Sequence, residues 1–280
     1  MSKIVIGLDV GTSATKVIAL ENDGRIKPPL MCSGDDTLTS VYGAIGQYLD
    51  MNDIKLDDVE HIMSTGVGAS SLGENIFDIP TTKIDEFLAN GLGARFETGL
   101  DRMIVVSMGT GTSLVRVDGD EIKHIGGIAM GGGTIKGLSK LLLNTTDIES
   151  VNRRALLGLT HVINLTIDDI SDTEIDGLPS EMTASLFGKL PDIDTDKDHI
   201  AAGIIHMVLE TIGSCAILSQ LDSGIKDFVL IGQLTQLDSC FDDVFNNLQR
   251  WYGVSFHTPN NASYVTALGA ALHYYSYEEE

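Results

Sequence analysis

The chain has 280 residues, and its 18 Lys and Arg against 40 Asp and Glu give a formal net charge of -22. This length suffices for two domains and a large core, and the negative charge excludes nucleic-acid backbones and anionic membranes as expected partners because both would be repelled. Three cysteines without a CxxC pair, no signal-like N-terminus and no run of eighteen apolar residues predict a cytoplasmic protein without a membrane span.

The first hundred residues predict a β-hairpin, a strand, a helix and a further strand. Apolar runs at residues 3–8 and 16–20 flank a turn of small residues, and a third strand ends at Cys32. Residues 37–51 repeat apolar side chains at helical spacing, and "VEHIMST", residues 59–65, is typical of a buried strand.

The second half begins with the same pattern and then alternates helices with strands. Alternation of this kind predicts a layered α/β architecture. We therefore expect a duplicated α/β fold with one half at residues 1–100, the other at 101–280 and a cleft between them, and a closing helix that crosses back against the first half. The predicted elements are strands 103–107, 113–117 and 121–125, a helix from Thr134, helix 198–221, strand 227–232, helix 238–251, strand 254–258 and helix 266–275.

The two halves open with related hairpins, "IGLDVGTSATKVIAL" at residues 6–20 and "IVVSMGTGTSLVRV" at 104–117. Backbone N–H groups of such turns, with Thr and Ser hydroxyls beside them, form anion-binding nests. Two facing nests predict a polyphosphate site. A shift of one hundred residues also places Lys16 on Arg116. The residues predicted to form the nests are Gly11, Thr12 and Ser13 in the first hairpin and Gly109, Thr110, Gly111 and Thr112 in the second.

Asp9 and Lys16 are the charged residues of the first hairpin. Asp9, at a strand end, is expected to hold a hydrated Mg²⁺, since this ion keeps several waters and takes few protein carboxylates. Lys16 would add positive charge for the phosphates. The simpler reading is a pair of tight hairpin turns, which explains one such cluster better than two.

Two further glycine-rich segments complete a predicted ATP cleft. Gly131, Gly132 and Gly133 precede an apolar helix, whose N-terminus favours an anion at close range. Gly232 ends the buried strand of "DFVLIGQLTQ" and suits an adenine or ribose lying over the backbone.

Three stretches resemble the type II pantothenate kinases of the acetate and sugar kinase, Hsp70 and actin superfamily. They are "DEFLANGLG" at residues 85–93, "GTGTSLVRVDG" with "GGIAMGGGTIKGL" at 109–138, and "MTASLFGKL" at 182–190. The likeness extends from Ile4 to about Leu272. It implies a duplicated actin-like, ribonuclease H-like ATPase fold, a homodimer, ATP and Mg²⁺, and phosphorylation of pantothenate to 4'-phosphopantothenate, the first step of coenzyme A biosynthesis.

The resemblance also implies residue roles. It makes Glu86 the general base, consistent with the need to deprotonate an alcohol as it attacks, and it places the substrate near Thr110, Ser113, His124 and Gly126. Where the family has an arginine before "GG", this chain reads "HIGG" with His124. Histidine is shorter, is only partly charged at neutral pH and lacks the bidentate fork, so the acceptor or the rate is expected to differ.

Two other functions remain open from the residues. One is a weakly active, nucleotide-binding regulatory homologue or a kinase for another small alcohol, supported by His124. The other is an ATPase that activates a dehydratase through an iron–sulfur cluster shared across a dimer, because such proteins open with a similar Asp-Val-Gly hairpin. That function needs cysteines in suitable loops, and Cys215 lies in a predicted apolar helix.

Overall fold

The computed structural model describes residues 3–22, 24–34, 36–173, 175–189, 195–221, 223–238 and 240–278. Its strands are β1 Ile4–Val10, β2 Thr15–Glu21, β3 Leu30–Cys32, β4 Val59–Thr65, β5 Asn75–Ile76, β6 Ile79–Lys83, β7 Arg102–Met108, β8 Thr112–Asp118, β9 Glu121–Ile128, β10 Leu165–Thr166, β11 Thr183–Ser185, β12 Asp227–Ile231 and β13 Ser255–His257. The α-helices are α1 Thr37–Met51, α2 Glu86–Thr98, α3 Gly132–Leu143, α4 Ile148–Ala155, α5 Ile167–Ile170, α6 Lys197–Leu218, α7 Phe241–Tyr252 and α8 Val265–Glu278. Short 3₁₀ helices include Val67–Ser71, Gln233–Gln236 and Ala262–Tyr264.

The first sheet has the strand order β3-β2-β1-β4-β6-β5. Its central strand β1 pairs antiparallel with β2 and parallel with β4, and every residue of β1 is buried. A continuous apolar run suits such a strand because helices cover both faces of the sheet. Helix α1 covers one face with Val41, Ile45 and Tyr48, after Asp36 caps its N-terminus by accepting a hydrogen bond from the Thr39 N–H.

The second sheet has the order β13-β12-β7-β8-β9. Its hairpin β7–β8 is antiparallel, and β12 runs parallel to β7, so the first sheet's arrangement of a hairpin beside a parallel strand recurs. Helix α6 packs on this sheet and contributes Ile204, Val208 and Ile212 to its core. By length and composition alone α6 could cross a membrane, but 61% of its most apolar window is buried inside the protein, as in a core helix.

Helices α2 and α8 cross each other beside both sheets. Ala267 and Leu268 of α8 pack with Val5 of β1, which confirms that the closing helix returns to the first half. A Cβ on Gly93 would overlap the Val265 carbonyl oxygen, and a Cβ on Gly269 would overlap that of Ala89. These glycines therefore let the two helix backbones touch.

The predicted elements are present, with shifted ends. Helix α3 starts at Gly132, two residues before the predicted Thr134, and α6 ends at Leu218 instead of 221. Helix α4 and the β10–β11 pair were not predicted: α4 has only eight residues, although Ile148, Val151 and Ala155 follow a helical period, and the two strands have two and three residues. The similarity motif at 182–190 ends at Leu190, which lies outside the described residues.

Candidate active site

The turns of both hairpins face one cavity of about 350 Å³, a size typical of small-ligand pockets. The first residue of α2 and the second of α8 also reach this cavity. Its lining thus combines elements of both sheets and of both crossing helices. The lining residues are Asp9, Gly11, Thr12, Ser13, Ala14, Lys16, Val67, Glu86, Ser107, Gly109, Thr110, Gly111, Thr112, Ser113, Gly232, Gln233 and Thr266.

The two hairpins close differently. The last pair of β1 and β2 is Val10 with Thr15, and the last pair of β7 and β8 is Met108 with Thr112. The first turn therefore has one residue more than the second. A single sequence shift cannot align both strands of the hairpins.

Matching these closing pairs corrects the shift of one hundred residues seen in the sequence. Asp9 is paired with Lys16 across the first hairpin, and Ser107 with Ser113 at the same position of the second. The counterpart of Lys16 is therefore Ser113, and the expected match of Lys16 with Arg116 is wrong.

Asp9 and Lys16 form a buried ion pair at the end of the first hairpin. The Lys16 Nζ lies 2.9 Å from Asp9 Oδ2, and Asp9 is only 7% exposed. The other carboxylate oxygen, Oδ1, accepts no hydrogen bond within the described parts of the chain. A Cβ on Gly66 would lie 2.9 Å from this Oδ1, so a glycine keeps the space beside it free. A carboxylate oxygen with free space is a suitable oxygen donor for hydrated Mg²⁺.

Glu86 is the first residue of α2 and faces the same cavity. Asp85 caps this helix, because its Oδ1 accepts hydrogen bonds of 2.9 Å from the Phe87 and Leu88 N–H groups. Burial, followed by the negative charge of Asp9, raises the pKa of Glu86 above its usual value, and Lys16 partly opposes this. A carboxylate with a raised pKa is a stronger proton acceptor once it is ionised.

The hairpin turns approach each other directly. The hydroxyls of Thr12 and Thr110 are hydrogen-bonded at 2.8 Å. In the described chain, the N–H groups of Thr12, Ser13, Thr110 and Gly111 have no hydrogen-bond partner outside the strands. Unpaired N–H groups on both sides of a narrow gap fit an anion such as a phosphate group.

Two other predicted residues line the cavity, and local contacts explain the position of each. The Thr112 hydroxyl donates to the Met130 carbonyl at 2.9 Å, which ties the second hairpin to the start of α3. Gly232 has a φ of 97° and directly abuts the Met108 backbone. Only glycine adopts such a backbone without strain at so close an approach.

The glycine triplet, which is predicted to contact phosphate, does not line this cavity. The N–H groups of Gly132 and Gly133 donate to the carbonyls of Gly109 and Thr110 at 2.8 and 2.9 Å. A Cβ on Gly131 would lie 2.6 Å from the Thr110 carbonyl oxygen. Gly132 and Gly133 thus support the second hairpin from behind, because their N–H groups are already used by that turn, and the Gly131 N–H donates to the Thr134 hydroxyl.

His124 and Gly126, which are expected to lie near the substrate, are also outside the cavity lining. The register of β8 and β9 shifts so that Val115 pairs with His124 and Leu114 with Gly126. His124 is exposed on the edge strand β9 and stacks on Phe87, with ring centroids 4.0 Å apart and planes at 13°. It therefore touches the neighbour of Glu86 and not the cavity.

Sequence reasoning missed part of the lining: Ala14, Val67, Ser107, Gln233 and Thr266. A signal existed for Val67, because in "STGVGAS" a glycine and a 3₁₀ helix follow the end of β4, as they follow the end of β12 in "LIGQLTQ". No local pattern marks Thr266, which reaches the cavity only through the helix crossing.

The cysteines lie on separate elements: Cys32 ends β3, Cys215 lies inside α6, and Cys240 precedes α7. Within the described residues, no group of three or more His, Cys, Asp or Glu side chains could hold a metal ion. The cysteine placement gives no support to the dehydratase-activator alternative.

Comparison of sequences finds relatives over nearly the whole chain. The Fumble family model matches residues 102–273. The type II pantothenate kinase of Staphylococcus haemolyticus is 30% identical over 274 residues, covering 95% of this chain and 98% of that protein. A type II pantothenate kinase of Staphylococcus aureus strain USA300 is 29% identical over 274 residues, covering 95% of this chain and 97% of that protein.

Comparison of structures shows the fold. Component A of the Acidaminococcus fermentans (R)-2-hydroxyglutaryl-CoA dehydratase matches 99% of this chain and all of that one, with a TM-score of 0.70 and 21% identity. The ADPNP-bound activator of the Clostridium difficile 2-hydroxyisocaproyl-CoA dehydratase matches 100% of this chain and 98% of that one, with a TM-score of 0.67 and 16% identity. The predicted duplicated actin-like ATPase fold is thereby confirmed.

Proposed function

Because the chain belongs to the type II pantothenate kinase family, we propose that it transfers the γ-phosphoryl group of ATP to the hydroxyl of pantothenate, with Mg²⁺. The observation that carries this proposal is the placement of Glu86: a half-buried carboxylate at the start of α2, facing the cavity that Asp9 and both hairpin turns also line. This arrangement puts a proton acceptor beside a polyphosphate-sized gap.

The proposed role of Glu86 is that of the general base. An alcohol is a weak nucleophile at neutral pH, and a carboxylate that takes its proton during attack accelerates transfer. The raised pKa of Glu86 suits this task, since a carboxylate with a raised pKa binds the proton more strongly than an exposed glutamate. Phosphoryl transfer otherwise depends on positioning and charge neutralisation.

The hairpins are proposed to position the phosphates. The N–H groups of Thr12, Ser13, Thr110 and Gly111 would donate to phosphate oxygens from both sides. Asp9 would hold a hydrated Mg²⁺ ion, which when bound neutralises charge on the phosphates. Lys16 keeps the Asp9 carboxylate in place through their 2.9 Å ion pair.

An ADP-release assay tests the proposal. Purified protein with ATP and Mg²⁺ is supplied with pantothenate, pantetheine and a panel of sugars. We expect ADP release that depends on pantothenate. Release with another small alcohol alone would assign the protein to a related kinase activity, and nucleotide binding without release on any acceptor would favour a regulatory homologue.

A further inference from the structure

The crossing of α2 and α8 contains a polar pair that the proposed chemistry does not use. The Thr266 hydroxyl and the Asn90 side-chain oxygen Oδ1 are 2.7 Å apart and hydrogen-bonded. Asn90 is completely buried, and Thr266 is 6% exposed and lines the active-site cavity. The pair therefore connects the buried helix interface with the cavity.

Asn90 also lies on the same face of α2 as Glu86. Residues four apart are neighbours on a helix, and side chains lean toward the helix N-terminus. Asn90 thus lies one turn below the proposed base, and its side chain is directed toward the cavity end of the helix. A position this close to the base suggests more than helix packing.

The Asn90 amide nitrogen Nδ2 has no hydrogen-bond partner among the described residues. A buried NH₂ group without a partner is costly. The adjacent contacts leave little room for other partners, because Ala89 abuts Gly269 and Gly93 abuts Val265 at backbone distance. The unpaired Nδ2 of Asn90 therefore needs a structural explanation.

Turning the amide by 180° exchanges Nδ2 and Oδ1 in nearly the same space. Nδ2 then donates to the Thr266 hydroxyl oxygen across the same 2.7 Å contact, and the hydroxyl proton is free to point into the cavity. The group left without a partner becomes a carbonyl oxygen, which proteins leave unpaired more readily than an N–H group.

We propose that Asn90 is a positioning residue that makes the Thr266 hydroxyl a hydrogen-bond donor to a substrate oxygen in the cavity. The oxygen belongs to the nucleotide phosphates or to the acceptor alcohol, since both are hydrogen-bond acceptors at this place. The inference rests on the proposed function for the presence of these substrates. It adds Thr266 to the binding residues and gives Asn90 the role of positioning it, and neither the sequence motifs nor the resemblance indicated these roles.

The test compares Thr266→Val, which keeps the shape and removes the hydroxyl, with Thr266→Ser, which keeps the hydroxyl. The affinity for a non-hydrolysable ATP analogue, titrated with Mg²⁺ present, reports a contact of Thr266 with phosphate. The KM for the acceptor reports a contact with the alcohol. We expect Thr266→Val to weaken one of the two by about tenfold, the scale of one lost hydrogen bond, and Thr266→Ser to stay near the parent.

Asn90→Asp completes the experiment. The carboxyl group that this substitution introduces only accepts hydrogen bonds once it is ionised, and burial raises the pKa of such a group, so the analogue affinity is measured across pH; where the carboxylate is ionised, the Thr266 proton turns away from the cavity and the loss should equal that of Thr266→Val. The double variant should then lose no more than either single one. Thr98→Val is the matched control, because its hydroxyl donates to the Ala94 carbonyl on the same helix outside the cavity.

Thermal unfolding of each variant separates packing from ligand contact. Lowered unfolding temperatures for Thr266→Val and Asn90→Asp, with unchanged analogue affinity and unchanged acceptor KM, would overturn the inference and leave the pair as a helix contact. If the parent phosphorylates no alcohol, the proposed function fails, and the analogue titration alone decides whether Thr266 binds phosphate.

Discussion

The two hairpins that face each other across the cavity are built alike next to their closing pairs and differ in chemistry. The first carries the ion pair of Asp9 and Lys16, whereas the second carries Ser107 and Ser113 at the matching positions. Both turns offer backbone N–H groups and a threonine hydroxyl, and these threonines touch. Both hairpins thus have groups that suit phosphate, whereas charged side chains are present at this position only in the first hairpin.

The crossing helices show the same asymmetry. The bonded residues Asn90 and Thr266 are 176 residues apart, and the same shift relates Gly93 to Gly269, the two glycines of the crossing. A shift of 176 residues from Glu86 leads to Ala262, whose side chain cannot exchange a proton. We infer that the first half supplies the chemistry and that both halves supply binding.

The largest expected effect comes from Asp9→Asn. The change keeps the shape of the side chain and removes the charge that would attract Mg²⁺ and pair with Lys16. We expect kcat to fall by about 10³-fold, the upper range for losing a charge-stabilising group. Steady-state ADP release measures it, with Mg²⁺ varied to detect weaker metal use. A parent-like kcat at low Mg²⁺ would contradict the role of Asp9.

Glu86→Gln should follow, with kcat lowered by roughly 10²-fold or more, the scale of a lost general base. Affinity for the ATP analogue should stay close to that of the parent, because the hairpins, and not Glu86, are proposed to bind phosphate. Single-turnover assays and calorimetry measure the two quantities. If kcat is unaffected, Glu86 is a solvated helix-start residue.

The pH dependence sharpens the same assignment. A base works only when ionised, and burial and the Asp9 charge raise the pKa of Glu86 above its ordinary value of 4.5. The kcat/KM of the parent should therefore fall as the pH drops through that raised pKa, above the range of an exposed glutamate. This fall of kcat/KM at low pH should be absent in Glu86→Gln. If the fall persists in that variant, the titrating group is not Glu86.

The serine pair should matter less than its charged counterpart. Ser107→Ala removes a hydroxyl from the cavity wall but no charge, so we expect a loss of only about 2- to 10-fold, the value of one neutral hydrogen bond. Comparison with Asp9→Asn in the same assay tests the asymmetry of the hairpins. Equal losses in the two variants would contradict the division of roles between the halves.

The smallest effect is expected at His124. The ring contacts Phe87 and does not line the cavity, so His124→Ala removes an aromatic stack, and we expect kcat/KM to fall less than in Ser107→Ala. His124→Arg should hold or raise kcat/KM for pantothenate, since a guanidinium also stacks on an aromatic ring and extends further. A large loss in either variant would show that His124 enters the site when substrate binds.

The sequence predicted the fold and the first hairpin well because both depend on local patterns. Apolar periods marked the strands and helices, and the carboxylate of Asp9 stood out in a turn of small residues. The sequence could not show that the glycine triplet packs against the second hairpin, because a glycine-rich helix start serves equally for anion binding and for close packing, and only the partners of Gly132 and Gly133 distinguish them. Thr266 was missed since its position depends on a crossing of distant helices.

A crystal structure with Mg²⁺ and a non-hydrolysable ATP analogue tests the central claim most directly. We predict that the phosphates lie between residues 11–13 and 109–111, that the hydroxyls of Thr12 and Thr110 separate beyond their 2.8 Å contact, and that Asp9 faces the metal ion. A nucleotide bound elsewhere, for example in the cavity beside Cys32 and Gln47, would contradict the account.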